Sequence, residues 1–197
     1  EKPERVITWP EAEAIALKAY GAFAPDMAAI AREFFEKNWI DAPVKPGKAP
    51  GAFSAATVPS VHPYVLMNYL GKPRDVMTLA HELGHGVHQM LARDQGPLLA
   101  PTPLTLAETA SVFGEMLTFK ALLAETKDAR EKKAMMASKV EDMINTVVRQ
   151  IAFYTFERKV HEARRNGELT SDQLNALWME VQSESLGPAI DLKPGYE

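Results

Sequence analysis

No cysteine occurs in the 197 residues of this chain. Disulfide frameworks and thiolate metal sites are therefore excluded, a reducing compartment is permitted, and any metal must be held by histidine and carboxylate. No apolar run approaches the roughly 20 residues of a membrane span, and Glu1-Lys2-Pro3-Glu4-Arg5 lacks the apolar centre of a secretion signal. An extended basic block is missing too: 22 basic residues are scattered among 26 acidic ones, for a net charge of −4. That distribution offers nothing to a nucleic-acid backbone. Together these absences predict a cytoplasmic protein that binds neither nucleic acid nor membrane. What remains, 46% hydrophobic and 24% charged, suits one soluble domain over 1–197 with a sizeable core.

Against that background one stretch stands out, His81-Glu82-Leu83-Gly84-His85-Gly86-Val87-His88. Residues four apart on a helix share a face, so His81 and His85 can offer two imidazole nitrogens to one zinc ion. Glu82, rotated by about 100°, can reach a water on that ion as general base. The helix itself is readable. Val76 and Leu79 before the motif, and Val87, Met90 and Leu91 after it, keep an apolar stripe at helical spacing. Pro73 and Asp75 suit its first turn, giving a predicted span from Pro73 to about Arg93.

The rest of the chain reads as mainly α. Helices are expected from Trp9-Pro10 to about Tyr20, from Pro25-Asp26 through Trp39, from Leu104 to about Ala124, from about Asp128 to Arg165, and from Ser171 or Asp172 to about Leu186. Met135, Met136 and Met143 read as core filling within the longest of these. Asp41–Pro50 and Gln95–Pro103 each hold three prolines and a glycine and read as connections. Gly51–Ala55 and Tyr64–Tyr69 read as extended runs able to pair as a small antiparallel β ribbon.

A catalytic zinc takes three protein ligands and keeps a fourth position for water. Glu108, Ser111 and Glu115 form a polar stripe on an otherwise apolar helix, and Glu108 follows His85 by enough residues for a second helix to return across the metal. Glu108 is therefore assigned as the third ligand, with Ser111 and Glu115 as outer supports. Glu115 is a candidate acceptor for the distal nitrogen of a ligand histidine. Such a site would lower the pKa of a bound water to roughly 7 for attack on a polarised carbonyl, with Glu82 taking the proton. No oxyanion donor is assigned. Tyr64, Tyr69 and Tyr154 each sit in apolar patterns that favour packing roles.

Thr78-Leu79-Ala80-His81-Glu82-Leu83-Gly84-His85, with Leu106-Ala107-Glu108-Thr109-Ala110-Ser111, resembles oligoendopeptidase F of the thimet-oligopeptidase-like zinc peptidases. The resemblance runs from about Gly51 to Gly187 and includes Arg149-Gln150, Phe156-Glu157 and Gly167-Glu168-Leu169-Thr170. It implies a zincin-type helical metallopeptidase catalytic domain that cleaves short oligopeptides in a deep channel. It also implies the ligands His81, His85 and Glu108, with Glu82 as base. Extended substrate would add as a strand along the ribbon near Met67 to Leu70. Relatives of this kind carry a further segment with a histidine and tyrosines that bind the substrate carbonyl, and a large amino-terminal region. The chain is accordingly expected to be an incomplete portion of a peptidase roughly threefold longer.

Plainer readings weigh differently at each residue. His88 is expected to hydrogen-bond near the site rather than to ligate, and His62 and His161 to lie at turns or the surface. Two histidines and a glutamate would be poor choices for an apolar helix face without a metal. Besides an active zinc endopeptidase, two alternatives stay open: a zinc-binding fragment or homologue without turnover of its own, and a helical interaction module.

Overall fold

Local capping decides where the first helices begin and end. In the computed structural model, which describes residues 6–193 and 195, α1 spans Trp9–Phe23 and α2 spans Pro25–Glu36. Glu1–Arg5, Pro194, Tyr196 and Glu197 lie outside the described residues. The Thr8 N–H donates to Glu11 Oε2 at 2.8 Å at the start of α1. Pro25 then forces Ala24 into extended backbone (φ −152, ψ 123), so α1 must stop and α2 restarts at the proline itself.

α2 is shorter than its apolar pattern predicts, and the reason lies in Asn38. This residue adopts φ 58, the left-handed conformation that closes a helix. The Trp39 N–H reaches Phe34 O at 2.9 Å and the Asn38 N–H reaches Phe35 O at 3.2 Å. The Trp39 ring folds back edge-on against Phe34, with centroids 5.2 Å apart. Trp39 is thus the apolar clasp after the helix rather than its last turn.

The chain then enters a three-stranded sheet in the order β1-β3-β2: β1 Ile40–Asp41, β2 Phe53–Ala55 and β3 Tyr64–Leu66. β2 and β3 pair antiparallel with Ser54 opposite Val65, which is the expected ribbon. β1 is an addition, parallel to β3 with Ile40 opposite Val65. Its pairing runs on through Met67 N–H to Asp41 O at 3.0 Å and Tyr69 N–H to Ala42 O at 2.9 Å. Met67 is fully buried, and the Asn68 side chain donates to Ala49 O and Gly51 O. Met67–Leu70 is therefore not an open edge. The edge strand beside the motif helix is β2, tied to it by Ser54 Oγ donating to Gln89 Oε1 at 2.8 Å and Gln89 Nε2 donating to Ser54 O at 3.1 Å.

The motif helix α3 spans Pro73–Ala92, followed by a 3-10 turn at Arg93–Gln95 and by α4, Leu104–Glu125. Asp75 fastens its start by accepting from the N–H groups of Leu70 (2.8 Å) and Lys72 (3.0 Å). Val76, Leu79, Leu83 and Val87 point into a core completed by Tyr20 and Phe34 from α1 and α2 and by Val65 and Met67 from the sheet. These helices and the sheet form one compact unit that ends at Lys127.

A second compact unit starts at Asp128 and contains α5, Ala129–Arg164, and α6, Ser171–Leu186. Asp128 caps α5 by accepting from the N–H groups of Arg130 (2.7 Å) and Glu131 (3.1 Å). Trp178 of α6 packs against Phe153 and Phe156 of α5, and Lys159 pairs with Glu180 at 2.7 Å. α6 has 16 residues against 36 in α5, so it covers only part of its partner. Met136 and Met143 are consequently exposed rather than core, as are Val140, Ile144, Val147, Ile151 and Tyr154. Among the described residues no helix is long and apolar enough to cross a membrane.

Candidate metal centre

Two helices must approach closely for one carboxylate to meet two imidazoles, and glycine permits it here. A Cβ on Gly84 would lie 2.6 Å from Ala110 O and 2.8 Å from Ser111 Cα, so α3 and α4 touch backbone to backbone between Glu82 and His85. One turn earlier along α3, the Tyr20 O–H donates to the carbonyl of Ala80 at 2.5 Å. Gly114 of α4 leaves the room for it, since a Cβ there would lie 2.2 Å from the phenol oxygen. The backbone just before His81 is thus clamped by α1 and α4 together. Sequence alone gives Gly84 and Gly114 no role in the site. Each is a glycine inside a helix, where it costs about 1 kcal/mol relative to alanine, and that cost was the available signal.

The clamp places Glu108 Oε2 at 3.2 Å from His81 Nε2 and 3.4 Å from His85 Nε2. Ligand atoms from His81, His85 and Glu108 all lie within 4.8 Å of one another. The structure therefore brings together the three residues expected as ligands. His88, one turn past His85, is not in this group. His62 stacks flat on Trp39 (centroids 4.1 Å apart) beside Tyr64 in the sheet region, and His161 belongs to α5 of the other unit. Tyr69 donates to Ile7 O at 2.9 Å, while Tyr64 and Tyr154 are exposed.

Glu82 is 5% exposed, and its Oε2 is buried without a hydrogen-bond partner. A buried carboxylate oxygen left unpaired is costly. Glu82 follows His81 directly on α3, and the two imidazole nitrogens and the Glu108 oxygen beside it are the donor set of a catalytic zinc site with an open position. The residues present fit such an ion. Burial pushes the Glu82 carboxyl up to about 7; His81 pulls it down and Glu108 adds to the rise. Burial drives His85 down. It also pulls on His81, but the hydrogen bond to Glu115 and the surrounding carboxylates outweigh it, leaving that imidazole raised.

The Glu82 shift has a measurable consequence in metal-free protein. With a folded pKa of about 7 against an ordinary 4.5, the folded state keeps a proton that the unfolded chain releases. Stability should be full below the lower value and fall as pH rises through the upper one. Metal-free Glu82→Gln, which cannot ionise, is expected to match the parent at pH 4 and to exceed it at pH 8 by about 1–3 kcal/mol. Urea unfolding of both proteins at the two pH values checks this, and equal stability at pH 8 would refute it.

A small sheet beside a helix bearing two histidines and a glutamate, crossed by a second helix bearing another glutamate, is the frame of a zincin-type helical peptidase fold. Residues 23–196 match peptidase family M3. The chain belongs to that family. It is 36% identical over 162 residues to an oligoendopeptidase F homolog of Lactococcus lactis subsp. lactis, covering 81% of this chain and 27% of the relative. Oligopeptidase PepF of Bacillus subtilis is 30% identical over 195 residues, covering 97% and 29% respectively. Among solved structures, PZ peptidase A with an inhibitor superposes with a TM-score of 0.76 at 21% identity, covering 93% of this chain and 32% of that one. The chain thus spans somewhat over a quarter of the length of the curated relatives it matches.

Proposed function

We propose that this chain holds the metal and the general base of a zinc-dependent endopeptidase that hydrolyses short oligopeptides in the cytoplasm. The observation that carries the reading is the convergence of His81, His85 and Glu108, with Glu108 Oε2 within 3.4 Å of both Nε2 atoms. His81, His85 and Glu108 would hold one zinc ion. When bound, zinc supplies Lewis acidity and brings the pKa of water to roughly 7. Glu82 does the proton work. Its carboxylate, buried and without a hydrogen-bond partner at Oε2, is free to accept a proton from attacking water and return it to the leaving amine. An extended peptide would run along the outer edge of β2 next to α3, taking the Ser54 carbonyl over from Gln89. Family membership and the names of the relatives support an oligopeptide substrate.

A second reading has one observation in its favour. The hydroxyls of Tyr20 and Tyr69 are committed to the carbonyls of Ala80 and Ile7, so neither is offered to an oxyanion. These residues would then bind zinc without turnover by themselves. Cleavage of a quenched fluorescent peptide separates the two readings. Hydrolysis that stops in chelator and returns with one equivalent of zinc supports the first. Stoichiometric zinc without cleavage supports the second, and absence of zinc binding contradicts both.

A further inference from the structure

The polar stripe on α4 holds more than a ligand. Glu108, Ser111 and Glu115 occupy successive turns of one face, and each has a partner at the centre. Ser111 is fully buried and donates its hydroxyl to Glu108 Oε2 at 2.7 Å. The His81 ring lies between the two carboxylates: its Nε2 is 3.2 Å from Glu108 Oε2 and its Nδ1 is 3.2 Å from Glu115 Oε2. Glu115 is mostly covered, with 19% of its side chain exposed, so solvent competes weakly for that contact.

A carboxylate oxygen has no proton to give, so Nδ1 must be the donor. Nε2 faces the Glu108 carboxylate in the same way, and an ion held there would take the place of the Nε2 proton, leaving Nδ1 as the protonated nitrogen. The opposite tautomer would set two lone pairs against each other at Glu115 and a proton where a metal should bind. We propose that Glu115 is a positioning residue for the metal centre, fixing the tautomer and ring plane of His81 so that Nε2 is presented to the ion. Ser111 does the same for Glu108 by holding one carboxylate oxygen. One helix thereby supplies a ligand and the outer contacts that orient two of the three ligands. Partners of this kind typically change metal affinity by about 10–100-fold.

This inference rests on the zinc reading above. Its test uses zinc affinity, measured by competition with a chromophoric chelator, in the parent, Glu115→Ala and Glu115→Gln. The alanine variant is expected to bind zinc about 10–100-fold more weakly, to shift the visible absorption bands of the cobalt-substituted protein, and to melt like the parent when metal-free. Glutamine, which keeps an acceptor for Nδ1–H, should recover most of the loss. A long-range proton–nitrogen spectrum of the zinc-loaded parent needs no variant and should show His81 protonated at Nδ1 and metal-bound at Nε2. Affinity of Glu115→Ala within twofold of the parent, or a metal on Nδ1, would overturn the role of Glu115 while leaving the zinc reading intact. A parent that binds no zinc would overturn both.

Discussion

Replacing Glu82 by glutamine is expected to lower kcat for a short peptide by about 10²–10⁴-fold, the usual contribution of a positioned acid–base group. The swap is isosteric, so the helix and both histidines should stay in place. What disappears is the one carboxylate among the described residues that is buried and unpartnered at Oε2. Because glutamine still occupies the space and can still hydrogen-bond, KM should change little. Zinc content should remain at one equivalent, since Glu82 is not among the three ligand groups. Steady-state kinetics with a quenched fluorescent peptide, alongside elemental analysis of the same preparation, tests all of this. Full activity with zinc retained would show that the base lies elsewhere.

Gly84→Ala is expected to destabilise the fold and to weaken the metal centre together. Two effects compete. Alanine is favoured over glycine inside a helix by about 1 kcal/mol, whereas the new Cβ would meet Ala110 O at 2.6 Å and Ser111 Cα at 2.8 Å. Both obstacles are backbone atoms, which cannot rotate aside, so α4 must move away from α3. Overpacking of this kind costs about 1–3 kcal/mol and should outweigh the propensity gain. The larger effect falls on the metal. Glu108 lies two residues before Ala110, and shifting α4 carries its carboxylate away from His81 and His85. Zinc affinity is expected to fall at least about tenfold, on the scale of lost outer contacts, with a lower melting temperature for the metal-free protein. Parent-like melting and zinc affinity would contradict the close-contact account.

The reach of sequence reasoning differs from element to element. α3 was legible because three signals coincide over Pro73–Ala92: a proline start, an apolar stripe and a histidine pair at one-turn spacing. Glu108 was legible because a carboxylate on an apolar helix requires a reason. Ser111 and Glu115 followed from the same stripe, although which histidine Glu115 touches depends on how two helices cross, which no single-helix pattern records. The strand Ile40–Asp41 was not legible. It is two residues long, has no alternation of its own, and is defined only by hydrogen bonds to a segment more than 20 residues away. Its presence moves the sheet edge from Met67–Leu70 to β2. The stripe Val140, Ile144, Val147, Ile151 and Tyr154 shows the converse case. Periodicity marks which face of α5 is apolar, but exposure depends on a neighbour, and α6 does not reach it.

The most direct measurement is a crystal structure of the zinc-loaded protein with anomalous diffraction at the zinc edge. The account predicts one peak, with His81 Nε2 and His85 Nε2 at about 2.0–2.1 Å, a Glu108 oxygen at about 2.0–2.2 Å, and a fourth position left to solvent. A peak that Glu108 does not reach, or one filled by His88 in its place, would contradict it.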